Sequence, residues 1–157
     1  MVLIDTDVLA IQHIFTKDER YIENNRFIKE VVKDEPVISM FNLLELCGIL
    51  STAGHNEKAR VLYDRYLVSG QVSILYPATD VKQENVSWKE VREELFKITQ
   101  RGLRLGNATV LWVAEINRCS VIVTWNEKHY KEKTKLEVIT PKEYLNRKKL
   151  QPRERTV

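Results

Sequence analysis

Several oxygen-bearing side chains in this 157-residue chain stand where a parallel sheet would bring polar groups together. Asp5 directly follows the apolar run Met1-Val-Leu-Ile4, and Thr124 and Asn126 follow a second apolar run at residues 120–123. Ligands of open parallel sheets gather outside the carboxyl ends of the strands, so we expect these side chains to reach one edge. Carboxylate and amide oxygens are the kind of ligand that hard divalent cations take.

Two further candidates lie in helical patterns. Glu45 is the one charge in an apolar pattern from Phe41 to about Ala53, and burial without a partner would be costly, so it faces either solvent or a polar cleft. Asn107 stands at the start of another apolar helical segment. Each residue also has a simpler explanation. Asp5 and Asn107 could be helix N-caps, and Glu45 could belong to a solvent-facing stripe.

The elements that must position these residues alternate between short β-rich runs and longer helical patterns. This alternation is typical of an α/β domain with a parallel sheet and crossover helices. Ser87 and Glu90 have the spacing of a capping box, and Asp18 is a candidate N-cap. The predicted strands are 1–4, 36–39, 72–76, 120–124 and 137–140, and the predicted helices are 18–33, 41–53, 56–68, 87–102, 107–117 and a last one from Pro141.

Length and composition favour one domain in a reducing compartment. An apolar content of 43% suffices for one core. No apolar run approaches the roughly 20 residues that span a bilayer, and the N-terminus lacks the basic region of a signal peptide. Cys47 and Cys119 lie in apolar helix-like patterns, as buried free thiols do. We therefore predict a cytoplasmic protein with no membrane association.

The charge distribution adds little about function. A net charge of +3 is too mild to indicate nucleic-acid binding by itself. We predict a domain over residues 1–145 and a flexible C-terminal tail over 146–157. The tail holds much of the excess charge, in Arg147, Lys148, Lys149, Arg153 and Arg155.

The most informative feature is the order of four short motifs spread over residues 1–145. They are Val2-Leu-Ile-Asp5-Thr6-Asp7-Val8-Leu9, Asn42-Leu-Leu-Glu45-Leu46, Leu103-Arg-Leu-Gly-Asn107-Ala108 and Val121-Ile-Val-Thr-Trp-Asn126-Glu-Lys-His129-Tyr130. In order and spacing they resemble the PIN-domain family, particularly its VapC-like prokaryotic members. The resemblance implies a three-layer α/β/α sandwich with a central parallel sheet. It also implies a Mg²⁺- or Mn²⁺-dependent endoribonuclease that cleaves single-stranded or structured RNA with a metal-activated water.

The same resemblance suggests partners and site residues. VapC-like proteins are toxins held inactive by a small antitoxin, and they commonly form homodimers. Asp5 and Glu45 match the first two acidic positions, and Thr124 matches the hydroxyl before the fourth. Asn107 stands where the family usually has a third Asp, and Asn126 stands at the fourth acidic position. The implied metal ligands are Asp5, Glu45, Asn107 and Asn126.

The two asparagines change the chemistry expected of such a site. An amide still offers a carbonyl oxygen to a metal, but each substitution removes a negative charge and a proton acceptor. Metal affinity and rate should both fall. Asp7 and Glu127 could restore charge, or could be a turn or capping residue and a solvated side chain. The basic residues flanking the same loops could contact an RNA backbone, and they are Arg101, Arg104, Lys128, His129, Lys131 and Lys133.

Three other functions fit part of the pattern. A PIN-like scaffold that binds RNA or protein and cleaves poorly is suggested by Asn107 and Asn126. A haloacid-dehalogenase-type phosphatase would use Asp5 and Asp7 as nucleophile and acid, but Val8 stands where that family usually has glycine. A dinucleotide-binding domain requires a glycine-rich turn after the first strand, and no glycine occurs there.

Overall fold

Five short strands and seven α-helices alternate along residues 1–77 and 87–150, the part of the chain that this computed structural model describes. The alternation predicted from the sequence is confirmed. The elements are β1 (Val2–Ile4), α1 (Thr6–His13), α2 (Tyr21–Val31), β2 (Pro36–Ser39), α3 (Met40–Thr52), α4 (Asn56–Val68), β3 (Ser73–Leu75), α5 (Trp88–Thr99), α6 (Leu105–Ile116), β4 (Val121–Val123), β5 (Glu137–Ile139) and α7 (Pro141–Leu150).

The strands form one parallel sheet in the order β3-β2-β1-β4-β5. From β1 the chain adds strands in one direction up to β3, then crosses back to place β4 on the other side of β1. The point at which this direction changes lies between β1 and β4, where Leu3 pairs with Ile122. In open α/β sheets this is where a crevice forms outside the carboxyl ends of the strands.

Helices cover both faces of the sheet, which makes the three-layer α/β/α sandwich that the resemblance implies. Successive strand residues point to opposite faces. Accordingly, Ile4 and Val123 join the core formed with α1 to α4 and α7, whereas Leu3 and Ile122 join the core formed with α5 and α6. Burial on both faces explains why the strands are continuously apolar.

Two helix starts differ from the predicted ones by more than one residue. Helix α6 begins at Leu105 with Arg104 as its N-cap, so the expectation that Asn107 caps this helix was wrong. Helix α2 begins at Tyr21 with Arg20 as N-cap, and Asp18 instead accepts a hydrogen bond from the Arg20 backbone N–H at 2.9 Å. Residue preference identified good capping types in both segments, but the chain turns into each helix at a different residue.

The remaining expectations concern the thiols, the membrane and the C-terminal segment. Cys47 lies in α3, but Cys119 lies in the connection between α6 and β4 and not in a helix; both thiols are free. In the described ranges, no helix has the length and apolar character to cross a membrane. Helix α7 continues to Leu150, and its Lys148 pairs with Asp34 at 2.7 Å. Residues 151–157 of the predicted flexible tail lie outside the described residues, so the boundary at 145 stays a prediction.

Candidate active site

A cavity of about 310 Å³ opens at the carboxyl edge of the sheet, beside the point where the strand order changes direction. Its lining includes Asp5 after β1, Glu45 of α3, Asn107 of α6 and Asn126 after β4. Thr124 is fully buried and donates a hydrogen bond to Asp7, which also lines the cavity. The structure thus brings together all five residues predicted from the sequence, from four separate segments.

Asp5 is almost completely buried, and three donors converge on one of its oxygens. Oδ1 accepts hydrogen bonds from the Thr6 backbone N–H at 2.8 Å, the Tyr130 hydroxyl at 3.1 Å and the Asn42 amide at 3.3 Å. The first of these bonds makes Asp5 the N-cap of α1, as the simpler explanation proposed. Capping and a role in the cavity are compatible, because the same contacts fix the direction of the carboxylate.

The buried carboxylate of Asp5 and the half-buried one of Asp7 interact in this cavity. Burial, and secondarily the charge of Asp7, raises the pKa of Asp5 to about 7. Burial also raises the pKa of Asp7, although Thr124 Oγ1 at 2.9 Å and the Trp125 backbone N–H at 3.0 Å donate to its Oδ2. The other oxygen of Asp7 is buried without a donor. The cavity therefore holds negative charge that the protein only partly compensates.

Asp7 is neither a turn residue nor a helix cap. It lies in the first turn of α1 and joins this helix to the end of β4 through Thr124 and Trp125. Glu127, expected as a solvated side chain, is half-buried and pairs with Lys131 at 2.8 Å. Of these two acids, only Asp7 adds negative charge to the cavity lining.

Glu45 is exposed to solvent overall, yet its carboxylate is tied to the cavity. Its Oε2 accepts a hydrogen bond from Thr6 Oγ1 at 2.6 Å, and Thr6 Oγ1 in turn accepts one from the Asn42 amide at 2.9 Å. Because Thr6 and Asn42 both also bond to Asp5, the two acids face the same space. A purely solvent-facing role for Glu45 does not account for these contacts.

The two amides sit differently in the cavity. Asn107 occupies the third position of α6, where it is half-buried and lines the cavity rather than capping the helix. Asn126 is held by its backbone N–H, which donates to Thr124 Oγ1 at 3.0 Å, and its side-chain amide lies 2.7 Å from His129 Nε2. His129 is thereby fixed at the wall of the cavity by Asn126.

The donor set suits a hard divalent cation held with few protein ligands. Mg²⁺ is commonly bound through one or two carboxylates with waters and substrate phosphate completing its shell. Asp5 and Glu45 are such carboxylates, and Asn107 and Asn126 add amide oxygens. Over residues 1–77 and 87–150, no three His, Cys, Asp or Glu side chains form a group that could hold a metal ion. The residues therefore fit a site with two carboxylates, weaker than one with three or four.

Sequence reasoning assigned no role to several residues that build this site. Thr6 and Asn42 lie within the first two of the four sequence motifs. The Ser39-x-x-Asn42 spacing is a sequence signal for Asn42, because these two residues form a capping box for α3. Tyr130 gave no signal beyond its aromatic character. Among the basic residues expected near RNA, Arg101 and Lys131 instead pair with Glu115 and Glu127.

We expect Asn42→Ala to destabilise the protein by about 2–3 kcal/mol, because it leaves the Ser39 backbone N–H without its acceptor and removes one buried donor from each of Asp5 and Thr6. Urea unfolding monitored by circular dichroism measures this difference. Ser39→Ala is the matched control, since it removes only the capping hydroxyl and should cost about 1 kcal/mol. Equal losses in the two variants would mean that the contacts of Asn42 with the site add nothing to stability.

Known structures share this fold. The chain is similar to a toxin–antitoxin complex from Klebsiella pneumoniae (17% identity, 90% of this chain and 98% of that one, TM-score 0.59). It is also similar to VapC20 of Mycobacterium tuberculosis, a toxin described as cleaving the sarcin–ricin loop (17% identity, 78% of this chain and 87% of that one, TM-score 0.58). A third similar structure is VapBC2 of Rickettsia felis bound to a promoter DNA fragment (19% identity, 89% of this chain and 98% of that one, TM-score 0.61). No protein-family model and no curated protein matches the sequence. The chain therefore has the PIN-like fold of VapC toxins.

Proposed function

We propose that this protein is a metal-dependent endoribonuclease of the VapC type. The observation that carries the proposal is the convergence of Asp5, Glu45, Asn107 and Asn126 on one cavity at the carboxyl edge of the sheet. The similarity of the fold to VapC toxins supports the same reaction class. Asp5 and Glu45 are the primary ligands in this proposal, and the two amides complete the set.

A bound Mg²⁺ or Mn²⁺ would supply charge stabilisation at the phosphate and a water of lowered pKa. The protein's own part is to orient the ligands. Thr6, Asn42 and Tyr130 hold Asp5, and Thr6 also holds Glu45. Binding of a cation would offset the repulsion between Asp5 and Asp7, so the cation would contribute to stability as well as to reactivity.

The test is cleavage of single-stranded RNA by the purified protein with and without Mn²⁺. We expect cleavage that requires Mn²⁺, stops on addition of EDTA and falls by at least about a hundredfold in Asp5→Ala, because one of only two carboxylate ligands is lost. Glu57→Ala is the control for loss of an acidic side chain, since Glu57 is exposed on α4 and lies away from the cavity. Equal cleavage by wild type and Asp5→Ala would show a contaminating nuclease and remove the proposal's support.

An antitoxin partner belongs to the same proposal. Two of the similar structures are a toxin–antitoxin complex and VapBC2 on promoter DNA. We propose that a small protein encoded beside this chain binds it and suppresses cleavage, and that the chain forms a homodimer in the cytoplasm. Co-expression with the neighbouring small gene, followed by size-exclusion chromatography with light scattering, measures both the complex and the oligomeric state.

A scaffold that binds RNA without cleaving it is the second candidate. The observation that favours it is the pair Asn107 and Asn126. In addition, no three His, Cys, Asp or Glu side chains among the described residues are arranged to hold a metal ion. RNA binding without Mn²⁺-dependent cleavage, even after Asn107→Asp, would favour this candidate. A phosphatase using Asp7 as acid is less well supported, because Thr124 and Trp125 already occupy one oxygen of Asp7 and the other is buried.

A further inference from the structure

Arg20, at the N-cap of α2, lines the same cavity as the acidic residues. Its guanidinium is held by a fork to Asp18, with Nε donating to Oδ1 at 2.8 Å and Nη2 to Oδ2 at 2.7 Å. The Asp18 carboxylate also accepts the Arg20 backbone N–H at 2.9 Å, so side chain and backbone of Arg20 share one anchor. This arrangement fixes the orientation of the guanidinium.

A second contact holds the guanidinium from the side of β4. Its central carbon lies 5.7 Å from the centre of the Trp125 ring, within the range of a cation–π interaction. Trp125 is itself fixed, since its backbone N–H donates to Asp7 and its ring N–H donates to the fully buried Asn24 at 2.8 Å. Arg20 is therefore held from two sides, by Asp18 and by Trp125.

The Arg20 guanidinium has N–H donors that its ion pair with Asp18 does not engage. An arginine side chain has five N–H donors in a rigid fork, and Asp18 engages two of the nitrogens. The Arg20 side chain stays 44% exposed, which leaves room for a ligand. Among the described residues that line the cavity, Arg20 is the one with a permanent positive charge.

We propose that Arg20 binds a backbone phosphate of the RNA as it enters the acidic cavity. The inference rests on the proposed function and names the residue that holds the substrate there. A cavity with several acids repels RNA, and a guanidinium at its wall supplies a bidentate partner for phosphate oxygens. Asp18 acts as a positioning residue, because it orients Arg20 and does not itself attract a phosphate.

Binding of a fluorescein-labelled single-stranded RNA, followed by fluorescence anisotropy in EDTA over a range of salt concentrations, tests the inference. In Arg20→Gln we expect about tenfold weaker binding of the RNA. The slope of log affinity against log salt concentration should fall by the amount that corresponds to about one phosphate contact. Arg20→Lys should retain part of the affinity, because the charge remains while the fork is lost. Arg26→Gln, which removes an exposed arginine on the same helix away from the cavity, is the matched control.

Kinetics and metal binding separate this role from a structural one. If Arg20 holds substrate, Arg20→Gln raises KM for cleavage with little change in kcat, and its Mn²⁺ affinity, measured by calorimetry, equals that of wild type. Asp18→Asn should show a smaller rise in KM than Arg20→Gln. A merely structural role would instead lower Mn²⁺ affinity and kcat together.

Failure of the inference differs from failure of the proposed function. If wild type cleaves RNA and Arg20→Gln binds RNA with the same affinity and salt dependence as wild type, the role of Arg20 is overturned. The proposed nuclease function is unaffected by that result. If wild type binds RNA but never cleaves it, and Arg20→Gln binds RNA more weakly, the role of Arg20 is supported in a binding protein and the nuclease is rejected. No RNA binding by wild type would overturn the inference outright.

Discussion

Replacing Asn107 with Asp is expected to tighten Mn²⁺ binding by about tenfold or more, since a charged oxygen ligand replaces a neutral one in a site with only two carboxylate ligands. Asn107 already lines the cavity from the first turn of α6, so the new carboxylate needs no movement of the backbone. A negative charge is also favourable at a helix N-terminus. Cleavage of RNA should accelerate together with the gain in metal affinity, measured by calorimetry and by a single-turnover cleavage assay.

The control is Asn25→Asp, the same change on α2 at a position that does not line the cavity. Asn25 accepts a hydrogen bond from Gln12 through its side-chain oxygen, and an Asp keeps that acceptor. This variant should match wild type in Mn²⁺ affinity and cleavage. If Asn107→Asp left both quantities unchanged, position 107 would lie outside the metal shell, and the ligand set would reduce to Asp5, Glu45 and Asn126.

Asp5→Asn is expected to make the metal-free protein more stable at pH 8 by at most about 4 kcal/mol, while it weakens Mn²⁺ binding by about tenfold or more and slows cleavage. The pKa of Asp5 is raised from 3.8 to about 7, so the folded protein binds the proton more tightly than the unfolded chain does. Wild-type stability in EDTA should therefore fall as pH rises from about 4 to about 7 and level off above that. The amide of the variant does not titrate, and its oxygen can still accept hydrogen bonds from Thr6, Asn42 and Tyr130, so the variant should lack the part of this fall that comes from Asp5. The part that comes from Asp7, whose pKa burial also raises, should remain.

Urea unfolding in EDTA at pH 5 and pH 8 measures this difference, and Glu57→Gln is the control for loss of a charge at an exposed site. Addition of Mn²⁺ at pH 8 should raise the stability of wild type more than that of Asp5→Asn, because the variant has lost one of the two carboxylate ligands. A variant less stable than wild type at pH 8 would contradict the inference that the ionised Asp5 carboxylate destabilises the metal-free protein.

The fold could be predicted largely from the sequence because its signals are local. Strands buried on both faces must be apolar throughout, and β2 (Pro36–Ser39) and α4 (Asn56–Val68) have the predicted bounds. The starts of α2 and α6 were misplaced, because several residue types can cap a helix and the tertiary path of the chain selects one of them.

What the sequence by itself determined is which chemical groups are available: two acids, two amides and a hydroxyl in the order of a known family. Only the tertiary structure decided what these groups contact. It joined Asp5 to Glu45 through Thr6, gave Asp7 a place in the cavity and turned Arg20 toward the same space. These contacts link residues as much as 125 positions apart, and no local pattern of residue types encodes the distance or direction of such pairs.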